Sequence, residues 1–313
     1  MKFLERSLDG QNQFWKYVIV CLGGFLGGQL LGSIPLVIVL IAKTIVHHGS
    51  AAIQPENVMN LSAWGISKNL ALFLALFSTV VSLFFTVYLI KILHRRTFSE
   101  SINGTGKLRI GRIGSGALVW TLLMAIYLVI DYSLNPGEYV LQLHWEKLVV
   151  LTILSLLMIP LQTTSEELLF RGYLTQGVAA WTKNRWTAIL IPGVLFGLMH
   201  ITNPEVKEFG FWLSMPQYIF FGLLFGLISV LDDGIELAMG IHAANNIFLS
   251  IFTTHASSAL QTDALFELQS IDPLKELIVL VASGLIVLGY FAVRYQWNFG
   301  ALHQKVETQI IEN

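Results

Sequence analysis

The chain has 313 residues, of which 54% are hydrophobic and 12% charged, with a net charge of −1 and a mean hydropathy of +0.65. Soluble domains carry about 25% charged residues. The composition therefore excludes an ordinary soluble domain and predicts an all-α, polytopic protein in a lipid bilayer. No basic block indicates a nucleic-acid partner. The single cysteine, Cys21, excludes an internal disulfide framework and a cysteine-based metal site.

Three apolar stretches in the first part of the chain are long enough to cross a bilayer, whose core of about 30 Å requires about 20 helical residues. They cover about residues 15–42, 69–93 and 114–133. The first contains glycines at four-residue spacing, including Gly24, Gly28 and Gly32, which lets another helix approach closely. No small-x-small cleavage site follows it, so we interpret it as a transmembrane helix and not as a signal peptide.

The loop after the second stretch gives the clearest orientation signal. It carries Lys91, Arg95, Arg96, Lys107, Arg109 and Arg112. Short cytoplasmic loops are enriched in Lys and Arg, so we expect this loop in the cytoplasm. The N-terminal Lys2, Arg6 and Lys16 fall on the same side. The sequence predicts a multi-pass protein of the cell membrane with both termini cytoplasmic.

Five further stretches bring the predicted total to about eight transmembrane helices. The first covers about residues 147–165, and we expect it to continue as helix past Arg171. The others are a segment from Trp186 that contains Pro192 and His200, and about 216–231, 235–254 and 274–293. We divide the chain into 1–146, with the first three spans and the basic loop; 147–295, a helical core; and 296–313, a polar cytoplasmic tail. The sequence carries no signal of oligomeric state.

A small set of polar residues falls at membrane depth in the predicted core. A charge at the centre of a spanning helix costs about 2.5–3.5 kcal/mol on insertion scales. Residues placed there at such a cost are candidates for function. They are Glu166, Glu167, Arg171, His200, His242, Asn245 and Asn246.

The glutamates follow the fourth span. Glu167 and Arg171 are four positions apart, so they share a helix face and can pair. Glu166 is about 100° round the helix and points elsewhere. In a low dielectric its carboxylate would be a strong proton acceptor, suited to general-base work. Taken alone, the three charges are more typical of a helix that stops at the cytoplasmic interface than of a catalytic site.

Two histidines and an amide complete the set. A single histidine such as His200 is more often a packing residue than a ligand. His242 and Asn246 share a helix face, and alone they would be typical of hydrogen bonds that join helices. Together with Glu166 they can polarise a water. Glu166, His200 and His242 could ligate zinc with an open position. Alternatively, Glu166 and one histidine activate the water while the other histidine and the amide stabilise an oxyanion.

The chain contains no His-Glu-x-x-His and no Gly-x-Ser-x-Gly sequence, so those two hydrolytic sites are excluded. Its own motifs are Glu166-Glu167-x-x-x-Arg171, Phe196-x-x-x-His200 and His242-x-x-x-Asn246. In this order and spacing, over about residues 160–250, they resemble the CPBP family of intramembrane proteases. This family is also called the Abi or CAAX-protease-like family and includes the eukaryotic CAAX endoprotease.

The resemblance implies a membrane fold of about eight helices, with the site in a cavity within the bilayer and a membrane-associated peptide or protein as substrate. It implies that Glu166 is the catalytic base and that His200 is its partner on the water. His242 and Asn246 would be the oxyanion-stabilising or ligand pair. Glu167 and Arg171 would position the helix. It leaves open whether Zn²⁺ takes part.

Two other functions are compatible with the sequence. One is a non-catalytic membrane protein, such as a bacteriocin self-immunity factor or a partner-regulating subunit, in which the polar set only joins helices. The other is a small-solute transporter, which polytopy alone suggests. The sequence shows no internal repeat of interrupted helices, so it does not favour a transporter.

Overall fold

The structure is a computed structural model that describes residues 3–46 and 61–307. Its helices are α1 (Phe14–Ile45), α2 (Lys68–His94), α3 (Phe98–Ile102), α4 (Ile110–Leu134), α5 (Trp145–Thr182), α6 (Arg185–Leu198), α7 (Pro204–Phe209), α8 (Phe211–Leu231), α9 (Glu236–Phe252) and α10 (Pro273–Arg294). Both α1 and α5 include a π-helical segment, Val20–Leu26 and Leu168–Leu174. Lys2 and the end of the predicted tail lie outside the described residues.

The predicted all-α membrane bundle is confirmed. In the described residues, six helices are long and apolar enough to cross a membrane, namely α1, α2, α4, α5, α8 and α10. The other two predicted spans correspond to α6, with 14 residues, and α9, with 17. At 1.5 Å per residue they reach only about 21 and 26 Å, less than a bilayer core. Both helices lie within the bundle and are shorter than a membrane-spanning helix.

Of two predicted boundaries in the core, one is confirmed and the other was wrong. The fourth span was expected to cover about 147–165 and to continue as helix past Arg171, and α5 does so: it has 38 residues and ends at Thr182. Its charged residues do not stop the helix because protein, not the membrane interface, surrounds them. The fifth span was expected to include His200, but α6 ends at Leu198 and His200 lies in the following turn. The polar sequence after His200, with Asn203 before the next helix, ends the apolar run.

The two ends of the bundle differ in composition. At one of them, the basic end, the start of the chain meets the loop between α2 and α4 and the turn between α8 and α9. There Arg6 Nη2 donates to the Gly104 carbonyl at 2.8 Å, and Arg109 Nη2 pairs with Glu236 at 2.5 Å and with Asp232 at 3.3 Å. Guanidinium groups thus join the termini of several helices.

The opposite end, the sheet end, carries a small three-stranded sheet and α7. The strands are β1 (Tyr139–Leu141), β2 (Thr253–Thr254) and β3 (Phe266–Leu268), in the order β1-β3-β2. β1 runs antiparallel to β3 with Val140 opposite Glu267, and β2 runs parallel to it. The sheet ties the loops after α4 and α9 together at the mouth of the bundle.

Close helix contacts depend on small residues. A Cβ on Gly28 or Gly32 would lie 2.6 Å from the Cα of Ser82 or Ser78 on α2. The predicted close approach in the first span is therefore confirmed. The central helix α9 packs along α4 and α5. A Cβ on Gly240 would lie 2.1 Å from the Ile113 carbonyl oxygen, so α9 and α4 touch backbone to backbone.

Candidate active site

A cavity of about 910 Å³ lies between the helices of the core. Its floor is polar and its walls are mostly apolar. Of the candidate residues predicted from sequence, five line it: Glu166, His200, His242, Asn245 and Asn246. Glu167 and Arg171 do not line it and are fully buried behind it. The structure therefore brings the three motifs to one place but separates them into a cavity layer and a support layer.

The support layer is built on the face of α5 that points away from the cavity. Arg171 Nη1 donates to Glu167 Oε1 at 3.0 Å, and both side chains are 0% exposed. The predicted pairing of these two residues is confirmed. The Arg171 guanidinium also lies 4.0 Å from the Phe196 ring centroid and 5.3 Å from that of Phe225. These cation–π contacts compensate part of the cost of burying the charge.

His242 joins the two layers. Its Nδ1 lies 2.8 Å from Glu167 Oε1, and its Nε2 lies 3.8 Å from Glu166 Oε2. An ionised carboxylate only accepts hydrogen bonds, so we assign the His242 proton to Nδ1. This leaves Nε2 as a proton acceptor beside Glu166. Arg171, Glu167 and His242 therefore form a chain of contacts that fixes the orientation of the imidazole.

Glu166 faces the cavity, with 12% of its side chain exposed. Gln162, one helical turn earlier on α5, donates from Nε2 to Glu166 Oε1 at 2.5 Å. Gln162 Oε1 in turn lies 3.5 Å from Asn246 Nδ2. The sequence interpretation missed Gln162. The signal was there, because a glutamine four positions before a glutamate in an apolar helix lies on the same face.

Both asparagines line the cavity, and they are linked. Trp120 Nε1 donates to Asn245 Oδ1 at 3.1 Å, and Asn245 Nδ2 donates to Asn246 Oδ1 at 3.1 Å. Trp120 on α4 thus orients the pair. Asn246 is the amide that reaches towards Gln162, and the predicted assignment of the oxyanion role to Asn246 stays a prediction.

His200 belongs to another wall of the same cavity. Its Nδ1 lies 2.9 Å from the Phe196 carbonyl oxygen, and its ring stacks on Tyr218 with centroids 4.4 Å apart. Asn203 Nδ2 donates to the Tyr218 hydroxyl at 3.0 Å. These contacts hold His200 from the α6 and α8 side. The described structure gives it no hydrogen bond to Glu166 or His242.

The predicted zinc ligands were Glu166, His200 and His242. In the described ranges, no group of three His, Cys, Asp or Glu side chains is arranged to hold a metal ion. Glu166 and His242 Nε2 are adjacent. His200 is held on another wall of the cavity by Phe196 and Tyr218, so it does not converge with them. The donor set does not fit zinc as arranged, so we derive no step through a metal.

Fold and site together define a multi-pass membrane protein with a carboxylate–histidine site inside its helical bundle. Residues 144–248 match the family model described as type II CAAX prenyl endopeptidase, Rce1-like. The match includes every predicted site residue. Over 295 residues, covering 92% of this chain and 95% of the relative, the chain is 31% identical to YyaK of Bacillus subtilis (strain 168), an uncharacterized protein. No solved structure matches the chain.

The chain therefore belongs to the CPBP family, the Rce1-like CAAX-protease family of membrane proteins. The match begins at 144, after the first three predicted spans, in agreement with the absence of the motifs from that part of the chain. The relative covers nearly the whole chain, so α1, α2 and α4 also have counterparts in that protein.

Proposed function

We propose that this protein is an intramembrane endopeptidase that hydrolyses peptide bonds of membrane-associated peptides or proteins. The observation that supports it best is the pair of Glu166 Oε2 and His242 Nε2, 3.8 Å apart at the floor of the cavity. That separation is too long for a direct hydrogen bond and is suited to a water that donates to both atoms. The buried Glu167 and Arg171 hold the histidine in place behind it.

In the proposed reaction, Glu166 accepts a proton from this water while the water oxygen attacks the scissile carbonyl carbon. A C–O bond forms and the carbonyl oxygen becomes an oxyanion. The amide of Asn246 is the donor assigned to that oxyanion. When the C–N bond breaks, Glu166 returns its proton to the leaving nitrogen. His242 orients the water, and Gln162 orients the Glu166 carboxylate.

The experiment compares wild-type membranes with Glu166→Gln membranes by mass spectrometry of the membrane-associated peptides. A general base contributes about 10²–10⁴-fold to rate, so the peptides that wild type generates should fall below detection in the variant. Glu146→Gln is the matched control, because Glu146 is an exposed glutamate in the first turn of the same helix.

Unchanged peptides in folded Glu166→Gln protein would overturn the proposal. They would favour the non-catalytic alternative, an immunity or partner-regulating protein of the same family. A phenotype of the gene that survives the substitution would support that alternative further.

A further inference from the structure

The distribution of arginine orients the bundle. Apart from Arg171 inside the core, every arginine of the chain lies at the basic end, at Arg6, Arg95, Arg96, Arg109, Arg112, Arg185 and Arg294. The sheet end has only lysines, at Lys43, Lys68, Lys147, Lys207 and Lys275, within the described parts of the chain. Under the positive-inside rule, the basic end is the cytoplasmic end and the sheet end faces outward.

The cavity extends towards the sheet end. From Glu166 and His242 its walls continue along α4, α8 and α10 to the loops that surround the small sheet. The wall residues from these loops include Asn135, Tyr139, Ser258, Ala259, Ser270 and Asp272. None of the residues that line it, in the described ranges, belongs to the loop between α2 and α4 or to the turn between α8 and α9.

The floor is closed on the cytoplasmic side. Behind Glu166 lie the fully buried Glu167 and Arg171, and beyond them a cluster of buried apolar residues that includes Phe170, Ile235 and Met239. A substrate that came from the basic end would have to displace this cluster and the buried ion pair. A substrate that came from the sheet end would meet an existing polar opening.

The walls near the opening carry polar side chains that can form hydrogen bonds with a peptide backbone. Tyr127 donates to Glu276 Oε1 at 2.6 Å, and Lys275 pairs with Asp131 at 2.5 Å, both between α4 and α10. On α9, His242 lies ten residues from the sheet-end terminus at Phe252, which is about 15 Å. An extended chain covers that distance in about five residues.

We propose that the site is entered from the extracytoplasmic face, and that its substrates are membrane-anchored peptides or proteins whose scissile bond lies in an unfolded tail or juxtamembrane segment outside the cytoplasm. This assignment of the substrate class rests on the proposed endopeptidase function. The bond would lie about five or more residues from the point where the substrate chain enters the cavity. Tails that stay in the cytoplasm would not reach Glu166.

The orientation is tested without any activity. In a Cys21→Ala background, Ala259→Cys places a thiol at an exposed residue of the cavity mouth, and Lys107→Cys places one at an exposed residue of the basic end. A membrane-impermeant maleimide is added to intact cells. We expect Ala259→Cys to be labelled directly and Lys107→Cys only after permeabilisation. The reverse labelling would overturn the proposal.

The substrate side is tested with a library of palmitoylated decapeptides added to sealed membrane vesicles. We expect cleavage, dependent on Glu166, at least tenfold faster in right-side-out than in inside-out vesicles. Equal cleavage in both, or faster cleavage in inside-out vesicles, would overturn the outward-facing site. Absence of cleavage even in detergent solution would overturn the endopeptidase function and the substrate class together, while the labelling would still determine which end faces outward.

Discussion

Glu166 lies at the cavity wall with 12% of its side chain exposed, whereas Glu167, the next residue, is fully buried between Arg171 and His242. One step along a helix turns a side chain by about 100°, and here that turn separates an open cavity from a closed support layer. The same carboxylate group can then accept a proton from a bound water in one position and fix an imidazole in the other. The two layers should respond differently to substitution.

The largest effect is expected in the support layer. Arg171→Met leaves the Glu167 charge buried without its guanidinium partner, which should cost about 3–5 kcal/mol of unfolding free energy. Glu166→Gln at the cavity wall keeps an oxygen that can accept from Gln162, so it should change stability by less than about 1 kcal/mol. Thermal unfolding of the two variants in one detergent measures the difference.

The double variant Glu167→Gln/Arg171→Met is the matched control. It removes both charges and should recover part of the lost stability, because no unpaired charge remains buried. If Arg171→Met were as stable as wild type, the support layer would have no structural role and the contrast between the two glutamates would fail.

The next effect concerns the contact that places His242. Gly240 lies two positions earlier on α9, and a Cβ there would lie 2.1 Å from the Ile113 carbonyl oxygen of α4. Gly240→Ala should therefore cost about 1–3 kcal/mol in stability and lower activity by moving α9. Gly289→Ala on α10 is the control, since nothing lies within 4 Å of its Cβ position. Equal stability of both variants would show that α9 tolerates displacement from α4.

Within the cavity layer, Gln162→Leu should act on rate more than on stability. It removes the amide that donates to Glu166 Oε1, a hydrogen bond worth about 1–1.5 kcal/mol. We expect kcat to fall about tenfold while KM stays the same. Gln269→Leu, at an exposed glutamine of the sheet end, is the control. A fall in stability that accounts for the whole loss of activity would place Gln162 in the support layer instead.

A smaller effect is expected from His255, which lies on the cavity wall at the sheet end. Burial lowers the pKa of this imidazole to about 4 from its ordinary value near 6.5. The unfolded chain then binds more protons than the folded one between these values, so stability is complete above about pH 6.5 and is lost as the pH falls towards 4. Unfolding temperature as a function of pH measures this. If a His255→Gln variant kept the same pH dependence of stability, that dependence would come from other groups.

Metal removal is expected to change least. Glu166 and His242 can position a water without a third protein ligand, so cleavage should continue after dialysis against EDTA. Readdition of Zn²⁺ provides the control. A loss of activity on dialysis that Zn²⁺ restores would show that His200 or another donor joins Glu166 and His242 when the metal is bound.

Local spacing predicted the features that depend on one helix. The helices α2, α4 and α10 lie within a few residues of their predicted bounds, and the Glu167–Arg171 pair follows from a separation of four positions. The end of α5 at Thr182 could not be predicted in this way, although the sequence favoured a helix that continues past Arg171. An apolar run that ends in charges is typical of a helix end at the interface. Here the neighbouring helices surround Arg171 with Phe196 and Phe225, and these contacts allow the helix to continue through its charged residues.

The sequence by itself determined that the chain is a helical membrane protein, which of its stretches are strongly apolar, and which polar residues interrupt them. These properties depend on hydropathy and on periodicity along one segment. Only the tertiary structure decided that the His242 imidazole contacts Glu167, that Gln162 holds Glu166, and that His200 stands on a separate wall. Those contacts join residues far apart in the chain, and the packing of α5, α6, α8 and α9 against one another sets their distances.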